Sequence, residues 1–322
     1  MRVCVAGASG ALGRRLIPLL VASGHEVIAM TRSPQKVKTL QRQGVETVIA
    51  DGLDRDAVLK AMATVRPEIV IHQMTSLAKT KSLRRFDEEF AVTNRLRTEG
   101  TDYLIEAARA AGARRIIAQS YGNWNYERTG TALKDENDPF DPNPPVNQRR
   151  SLQAIRYCEA GVVGALGIEG LALRYGNFYG PNTGFSLNGD VVSQVRKRQL
   201  PIIGDGAGIW CFIHVDDAAS ATIAAMTRGT PGAYNVVDDE PAPVARWLPE
   251  LARAVSAKPP WHVPVWLARL VVGEVGVSMM TQIRGASNAR ARRELGWQPR
   301  YSSWREGFWT GLDDIPVPSS RT

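Results

Sequence analysis

Three cysteines in 322 residues, Cys4, Cys158 and Cys211, are too few and too scattered for a disulfide framework, and no two stand at metal-ligand spacing. They read as reduced, buried thiols of a cytoplasmic protein. Long hydrophobic runs are also missing. The longest candidate, residues 263–280, is interrupted by Arg269, Gly273, Glu274 and Gly276. It reads as a core helix or the wall of a ligand pocket, and no membrane span is expected. The chain enters a strand pattern at Val3, so no signal peptide is expected either. A basic excess exists, with a formal charge of +8 and a pI near 9.6, but it comes in short pairs such as Arg14-Arg15, Arg84-Arg85 and Arg149-Arg150. Basic residues gathered on one element are lacking, which argues against nucleic acid and leaves attraction of a small anion. The 44% hydrophobic and 22% charged fractions are those of one large or two small globular units.

What is present begins at the N-terminus. Val3-Cys4-Val5-Ala6 is an apolar run that stops at Gly7, and Gly10 and Gly13 follow in Gly7-Ala8-Ser9-Gly10-Ala11-Leu12-Gly13. Leu12, Leu16, Ile17, Leu19 and Leu20 then recur at helical spacing. Gly7 permits a tight turn, Gly10 keeps a side chain away from an incoming phosphate, and Gly13 lets the helix lie close to the sheet. The free N–H groups and dipole of the new helix end favour that phosphate, and the strand–turn–helix context reads as dinucleotide binding. The second strand ends in Thr31-Arg32-Ser33 and has no carboxylate for a ribose 2′-hydroxyl. Arg32, with Arg14 and Lys36 near in sequence pattern, suits a 2′-phosphate, so NADP is expected over NAD.

Strands are expected over residues 3–6, 27–30, 45–50, 69–72, 115–119 and 171–175, with helices between them, one spanning Glu89–Gly112. This alternation predicts an α/β, doubly wound parallel sheet whose strand ends line a cleft. Asp51 either accepts from the adenine or caps the helix from Arg55. His72-Gln73-Met74-Thr75 should line the cleft. Asp135–Pro145, with four prolines, is expected as a long loop near the cleft, a candidate lid. Past Pro181 the alternation stops. Residues 233–237 return as a strand, and Val244–Ser256 and Pro264–Val272 are expected as helices.

By these motifs, with Leu173-Arg174-Tyr175-Gly176-Asn177-Phe178-Tyr179-Gly180-Pro181, Phe212-Ile213-His214-Val215-Asp216-Asp217 and Leu295-Gly296-Trp297-Gln298-Pro299, the chain resembles the extended short-chain dehydrogenase/reductases, the epimerase/dehydratase branch. The resemblance implies a Rossmann domain over residues 1–175, a smaller C-terminal α/β substrate domain mainly over 176–322, and a homodimer through the helices Glu89–Gly112 and Ser151–Gly164. It implies a cofactor site of Gly7, Ser9, Gly10, Ala11, Leu12, Gly13, Thr31, Arg32, Asp51, Gly52, Leu53, His72, Gln73, Met74, Asn94, Tyr175, Asn177 and Phe178.

The departures are specific. The family's Tyr-x-x-x-Lys pair, in which the lysine lowers the tyrosine pKa and holds the nicotinamide ribose, falls on Ser151 and Ile155 when Glu159 is matched to the family glutamate. No other Tyr-x-x-x-Lys occurs in the chain. The family's Ser/Thr at the end of the fifth strand falls on Tyr121, with Ser120 before it. These two are the candidate catalytic residues, and Tyr126, Tyr175, Tyr179 and Lys134 are weaker ones. Asn177 matches a diphosphate contact, but the family arginine that clamps the same diphosphate falls on Trp210, which argues against a nucleotide sugar. Thr75, Trp124, Asn177, Tyr179, Phe185 and Trp210 are the expected substrate wall. The expectation is an NADP-dependent oxidoreductase acting on a small, partly apolar molecule, with no metal. The rivals are a non-redox isomerase, dehydratase or epimerase in the same pocket, and a non-catalytic NADP-sensing regulator.

Overall fold

The computed structural model describes residues 1–77 and 82–314. The chain runs β1 (Arg2–Ala6), α1 (Ala11–Ala22), β2 (Glu26–Thr31), α2 (Pro34–Gln41), β3 (Glu46–Ile49), α3 (Arg55–Val65) and β4 (Ile69–His72). Next come α4 (Phe86–Glu89), α5 (Ala91–Arg97), α6 (Glu99–Ala110), β5 (Arg115–Tyr121), β6 (Leu133–Lys134), α7 (Arg149–Val163) and β7 (Glu169–Tyr175). Then follow β8 (Asn177–Tyr179), α8 (Asp190–Arg196), β9 (Ile202–Ile203), β10 (Ile209–Trp210), β11 (Phe212–His214), α9 (Val215–Ala224) and β12 (Gly232–Val236). The last part holds β13 (Ala242–Pro243), α10 (Val244–Ala254), β14 (His262–Val263), α11 (Val265–Thr281), β15 (Gly285–Ala286), α12 (Ala289–Leu295) and α13 (Trp304–Thr310).

Seven strands form one sheet in the order β12-β7-β5-β4-β1-β2-β3, and every neighbouring pair is parallel. The two-residue period of β1 shows why both faces need helices. Val3 and Val5 pack with Leu12, Leu16 and Ile17 of α1 and Ala218 and Ala221 of α9, whereas Cys4 and Ala6 pack with Val58 and Met62 of α3 and Leu104 of α6. The order reverses at β1: β2 lies on one side and β4 on the other. A crevice therefore opens at the carboxyl ends of β1 and β4.

Beyond β7 the elements divide. β12, α9 and α12 return to the main sheet and its helical layer. Phe185, Phe212, Trp247, Trp304 and Phe308 build a separate aromatic core among α8, α10 and α13.

Three expected elements differ. The helix over Glu89–Gly112 is broken at Phe90 and at Thr98, where φ is −100° and ψ is −87°. Thr98 Oγ1 donates back to the carbonyls of Asn94 and Arg95, which competes with continuation of the helix. The helix expected over Pro264–Val272 runs on to Thr281, through a break at Gly273, whose φ of 70° a side chain rarely adopts. Its first half exposes Trp266, Leu270 and Val271, while Val275 and Met279 in its second half join a buried cluster. The Asp135–Pro145 segment is fastened and not free as a lid would be. Glu127 N–H donates to the Pro139 carbonyl, Asp141 N–H to the Asn125 carbonyl, and Asn235 N–H to Glu136.

Where α7 crosses β7, Gly170 allows contact that no side chain would permit: a Cβ there would lie 1.7 Å from the Val162 carbonyl oxygen. Gly170→Ala is expected to cost about 1–3 kcal/mol by overpacking, read as a lower urea midpoint at unchanged slope. An unchanged midpoint would mean that α7 does not sit this close.

Candidate active site

The glycine turn closes the end of β1. Gly7 has φ +91°, and a Cβ there would lie 2.5 Å from the Gln73 carbonyl oxygen. A Cβ on Gly13 would lie 2.3 Å from the Ala8 carbonyl oxygen, so that glycine is what brings α1 onto the turn. Gly10 differs. The sole neighbour of its missing Cβ is the Gly7 carbonyl oxygen at 3.3 Å, and it heads α1 with no side chain capping the helix. The head of α1 thus has no side-chain cap, which leaves it to an anion. Lys36 Nζ reaches Ser9 Oγ at 3.1 Å, and Arg14 Nε donates to the Ser9 carbonyl at 3.3 Å. Arg32 is exposed at the end of β2, beyond the buried Thr31, and makes no ion pair among the described residues. This cradle fits the phosphates of a dinucleotide.

Along β3 and β4 the expected residues divide by side chain. Asp51 does not cap α3; Asp54 does, accepting from Ala57 N–H at 3.0 Å. Asp51 is exposed and accepts from Leu53 N–H at 3.0 Å. Gly52 lies against Met74, whose sulfur a Cβ would meet at 2.4 Å. His72 turns inward. Its Nδ1 accepts from Met74 N–H at 3.2 Å, and Nε2 lies 3.2 Å from Thr101 Oγ1. Burial pushes its pKa down to about 4, so the ring is a neutral structural group and leaves the cleft to its backbone. Gln73 is buried beside Tyr175. Thr75 is half-buried just past β4.

At the end of β5 two adjacent hydroxyls face opposite ways. Ser120 Oγ donates to Glu159, and Arg174 grips the same carboxylate from Nε at 2.9 Å and Nη2 at 2.7 Å. Arg174 Nη1 donates to Tyr126 Oη at 2.9 Å, and Tyr126 donates to Asn235 Oδ1 at 2.6 Å. Ser120 and Tyr126 therefore belong to a buried scaffold. Tyr121 points to the pocket side, donating to Asn177 Oδ1 at 2.6 Å with its ring 5.8 Å from that of Trp124. Burial raises its pKa, so it stays protonated. Asn177 also donates to the Cys211 carbonyl at 3.1 Å, so both ends of its amide are taken.

The helix that resembles the catalytic helix carries no proton-transfer pair. Ser151 is fully buried, donates to Asp87 at 2.6 Å, and accepts from Asn94 Nδ2 at 3.0 Å. Ile155 sits in an apolar cluster with Phe86, Trp124, Leu152, Val275 and Ile283. Tyr121, Phe90, Phe140, Trp210 and Met279 pack against that cluster, which forms an aromatic layer beside the end of β5. Trp210 Nε1 donates to the Met279 carbonyl at 2.8 Å, tying the layer to α11.

Other expected positions lie in the core. Tyr179 is fully buried, edge-on to His214 and Phe308, and Phe185 packs on Phe212 and Trp247. The hydroxyl of Tyr175 meets Thr222 Oγ1 at 2.7 Å, inside the sheet–helix layer, and the half-buried Phe178 packs at a tilt against its ring. Lys134 pairs with Asp138 at 3.2 Å. Sequence reasoning missed Arg97, an arginine only 5% exposed. The signal was present: Asn94, Arg97, Thr101 and Leu104 fall on one helical face whose other members are uncharged. Among the described residues, no group of His, Cys, Asp and Glu is arranged to hold a metal, and no helix is long and apolar enough to cross a membrane.

The family profile described as the NAD dependent epimerase/dehydratase family matches residues 3–236. A 3-diazoavenalumate denitrifying reductase from a Streptomyces species is 44% identical over 311 residues, covering 96% of this chain and 99% of that protein. A UDP-glucose 4-epimerase from Thermotoga maritima, solved with UDP-glucose, superposes with a TM-score of 0.77 at 22% identity over 97% of both chains. The Thermus thermophilus UDP-glucose 4-epimerase in complex with NAD gives 0.73 at 24% identity, covering 97% of this chain and 98% of that one.

His72 yields a test of this packing. A free imidazole titrates near 6.5, and His72 near 4. Between these values the unfolded chain binds a proton that the folded protein cannot. Stability is therefore full above about pH 6.5 and declines as the pH falls toward 4, by roughly 3 kcal/mol. Urea unfolding of wild type and His72→Gln across this range should show that slope in the wild type and a shallower one in the variant. Parallel curves would mean that His72 is not held neutral.

Proposed function

Because the chain belongs to the NAD dependent epimerase/dehydratase family, we propose that it is an NADPH-dependent reductase that removes a diazo group, as dinitrogen, from a small planar carboxylate. The family and the 44% identical reductase make it an enzyme of oxidoreductase type. The observation that carries the finer reading is the fate of the catalytic pair: Ile155 is apolar, Ser151 is consumed by Asp87 and Asn94, and Ser120 by Glu159. A carbonyl reduction builds negative charge on oxygen and needs a donor to quench it. Replacing a diazonium group by hydrogen builds none. The carbon gains one hydride, the C–N bond breaks, its electron pair leaves with N2, and no proton is required from the protein.

Gly7, Gly10 and Gly13 would hold the cofactor's diphosphate at the head of α1, and Arg32, with Arg14 and Lys36, its 2′-phosphate. When bound, the nicotinamide supplies hydride to the substrate. Tyr121, Trp124 and Phe90 stack and orient a flat conjugated substrate and exclude water, which otherwise adds to a diazonium carbon.

The reaction is tested with benzenediazonium-3-carboxylate and NADPH under nitrogen-free argon. The expected products are benzoate and N2 in equal amounts to NADPH consumed. Formation of 3-hydroxybenzoate alone, the product of water, would overturn the reading. Tyr121→Phe separates it from carbonyl reduction. With the diazonium substrate kcat should change by less than about threefold, whereas a loss of roughly a hundredfold would assign the phenol a proton-donor role.

Cofactor choice is tested separately, by titrating NADPH and NADH. Arg32→Ala should weaken NADPH by about tenfold to a hundredfold and leave NADH unchanged, as expected for loss of a charge-assisted phosphate contact. Equal wild-type affinities for the two would remove Arg32 from the site.

A further inference from the structure

Two hydrogen bonds fix the register between α7 and the neighbouring helical pair α5–α6. Asn94 Nδ2 donates to Ser151 Oγ at 3.0 Å, and Thr101 Oγ1 donates to Cys158 Sγ at 3.4 Å. Both partners are 57 residues apart, so the helices run side by side in constant register. Arg97 lies between these bonds. The same offset places it level with Ala154 and Ile155, which is where the resemblance expects the catalytic-site lysine.

Arg97 is 5% exposed, and its Nη1 is shielded from solvent with no hydrogen-bond partner. No described residue forms an ion pair with it. The charged or titratable groups within its electrostatic reach are Cys158 and Glu159 on α7, Tyr121 at the end of β5 and His72 at the end of β4. Glu159 is occupied by Ser120 and by the bidentate grip of Arg174. His72 is neutral, and the Tyr121 hydroxyl donates to Asn177. A guanidinium keeps its charge even when buried, so an uncompensated one in this place is costly unless a ligand completes it. Two of these neighbours, His72 and Tyr121, sit at the ends of β4 and β5, along the strip where a dinucleotide lies in a doubly wound sheet.

We propose that Arg97 supplies, from the adjacent helix, the positive charge that Ile155 lacks, and that its guanidinium donates to the nicotinamide ribose hydroxyls of the bound dinucleotide. The cation has moved from one helix to the next while keeping its level along the cleft. It rests on the dinucleotide reading above and is independent of the substrate. As a positioning residue it acts on the cofactor, and the pocket side stays apolar, as a substrate that needs no acid permits.

Binding to the apoprotein, read by calorimetry, tests it without turnover. The probes are NADPH and adenosine 2′,5′-bisphosphate, which carries the adenine half and lacks the nicotinamide ribose. Arg97→Met should weaken NADPH at least tenfold, change adenosine 2′,5′-bisphosphate less than twofold, and leave the apoprotein Tm equal or higher, since an unpaired charge has been removed. Arg97→Lys should recover most of the NADPH affinity. NADPH bound by Arg97→Met within twofold of wild type would overturn the assignment. So would equal weakening of both probes together with a lower Tm, which marks Arg97 as structural. If Arg97→Met does not fold, Arg97→Gln must show the same selective loss, or the proposal fails. A wild type that binds neither these probes nor NADH would sink the dinucleotide reading itself, and this assignment with it.

Discussion

The buried ion pair between Glu159 and Arg174 is the contact on which the rest of the arrangement depends. It joins α7 to β7 with both side chains nearly sealed from water. Such a pair contributes little when its remaining hydrogen-bonding groups are left open, and breaking one partner is costly. Here they are filled: Ser120 completes Glu159, and Tyr126 and Asn235 continue the chain of bonds from Arg174. Phe140 lies under the guanidinium, 4.7 Å from ring centre to its carbon, which brings the proline-rich segment into the same unit. One polar network thus fixes the end of β5, the middle of α7, β7 and β12 relative to one another.

That network takes Ser120, so the hydroxyl it leaves at the end of β5 is that of Tyr121, whose proton already points at Asn177. The first turn of α7 is held in a similar way: Asp87 accepts from the N–H groups of Arg150 and Ser151 and from the Ser151 hydroxyl. Ser151 is thereby a structural joint between α7 and the α4–α5 segment, and Ile155, one turn on, is packed in an apolar cluster.

That cluster is completed from far along the chain. Met279 accepts from the Trp210 indole through its carbonyl and packs its side chain on the cluster. The same tryptophan packs at a tilt on Trp247, ring centres 4.9 Å apart, so the cluster leans on the aromatic core of the C-terminal elements. Gly273 separates this packed half of α11 from the exposed half carrying Trp266 and Leu270, and Arg84 Nη1 braces the junction through the Leu270 carbonyl at 2.6 Å.

The doubly wound sheet, the glycine turn and the missing Tyr-x-x-x-Lys pair were all legible in the sequence, because each rests on local spacing. Residues three apart in Gly7, Gly10 and Gly13 set a turn, and the two-residue and helical periods set strands and helices that must stack in layers. What tertiary structure alone decided is which way side chains face once distant segments meet. Ser120 and Tyr121 are neighbours in sequence, yet one meets a carboxylate 39 residues on and the other an amide 56 residues on. Tyr179 looked like a cleft residue beside Gly180, but α13, more than a hundred residues later, closes over it. The inward Arg97 likewise depends on which helix lies alongside. Local pattern fixes backbone periodicity, whereas the partner of a buried polar group is chosen by long-range packing, where satisfying its hydrogen bonds outweighs any local preference.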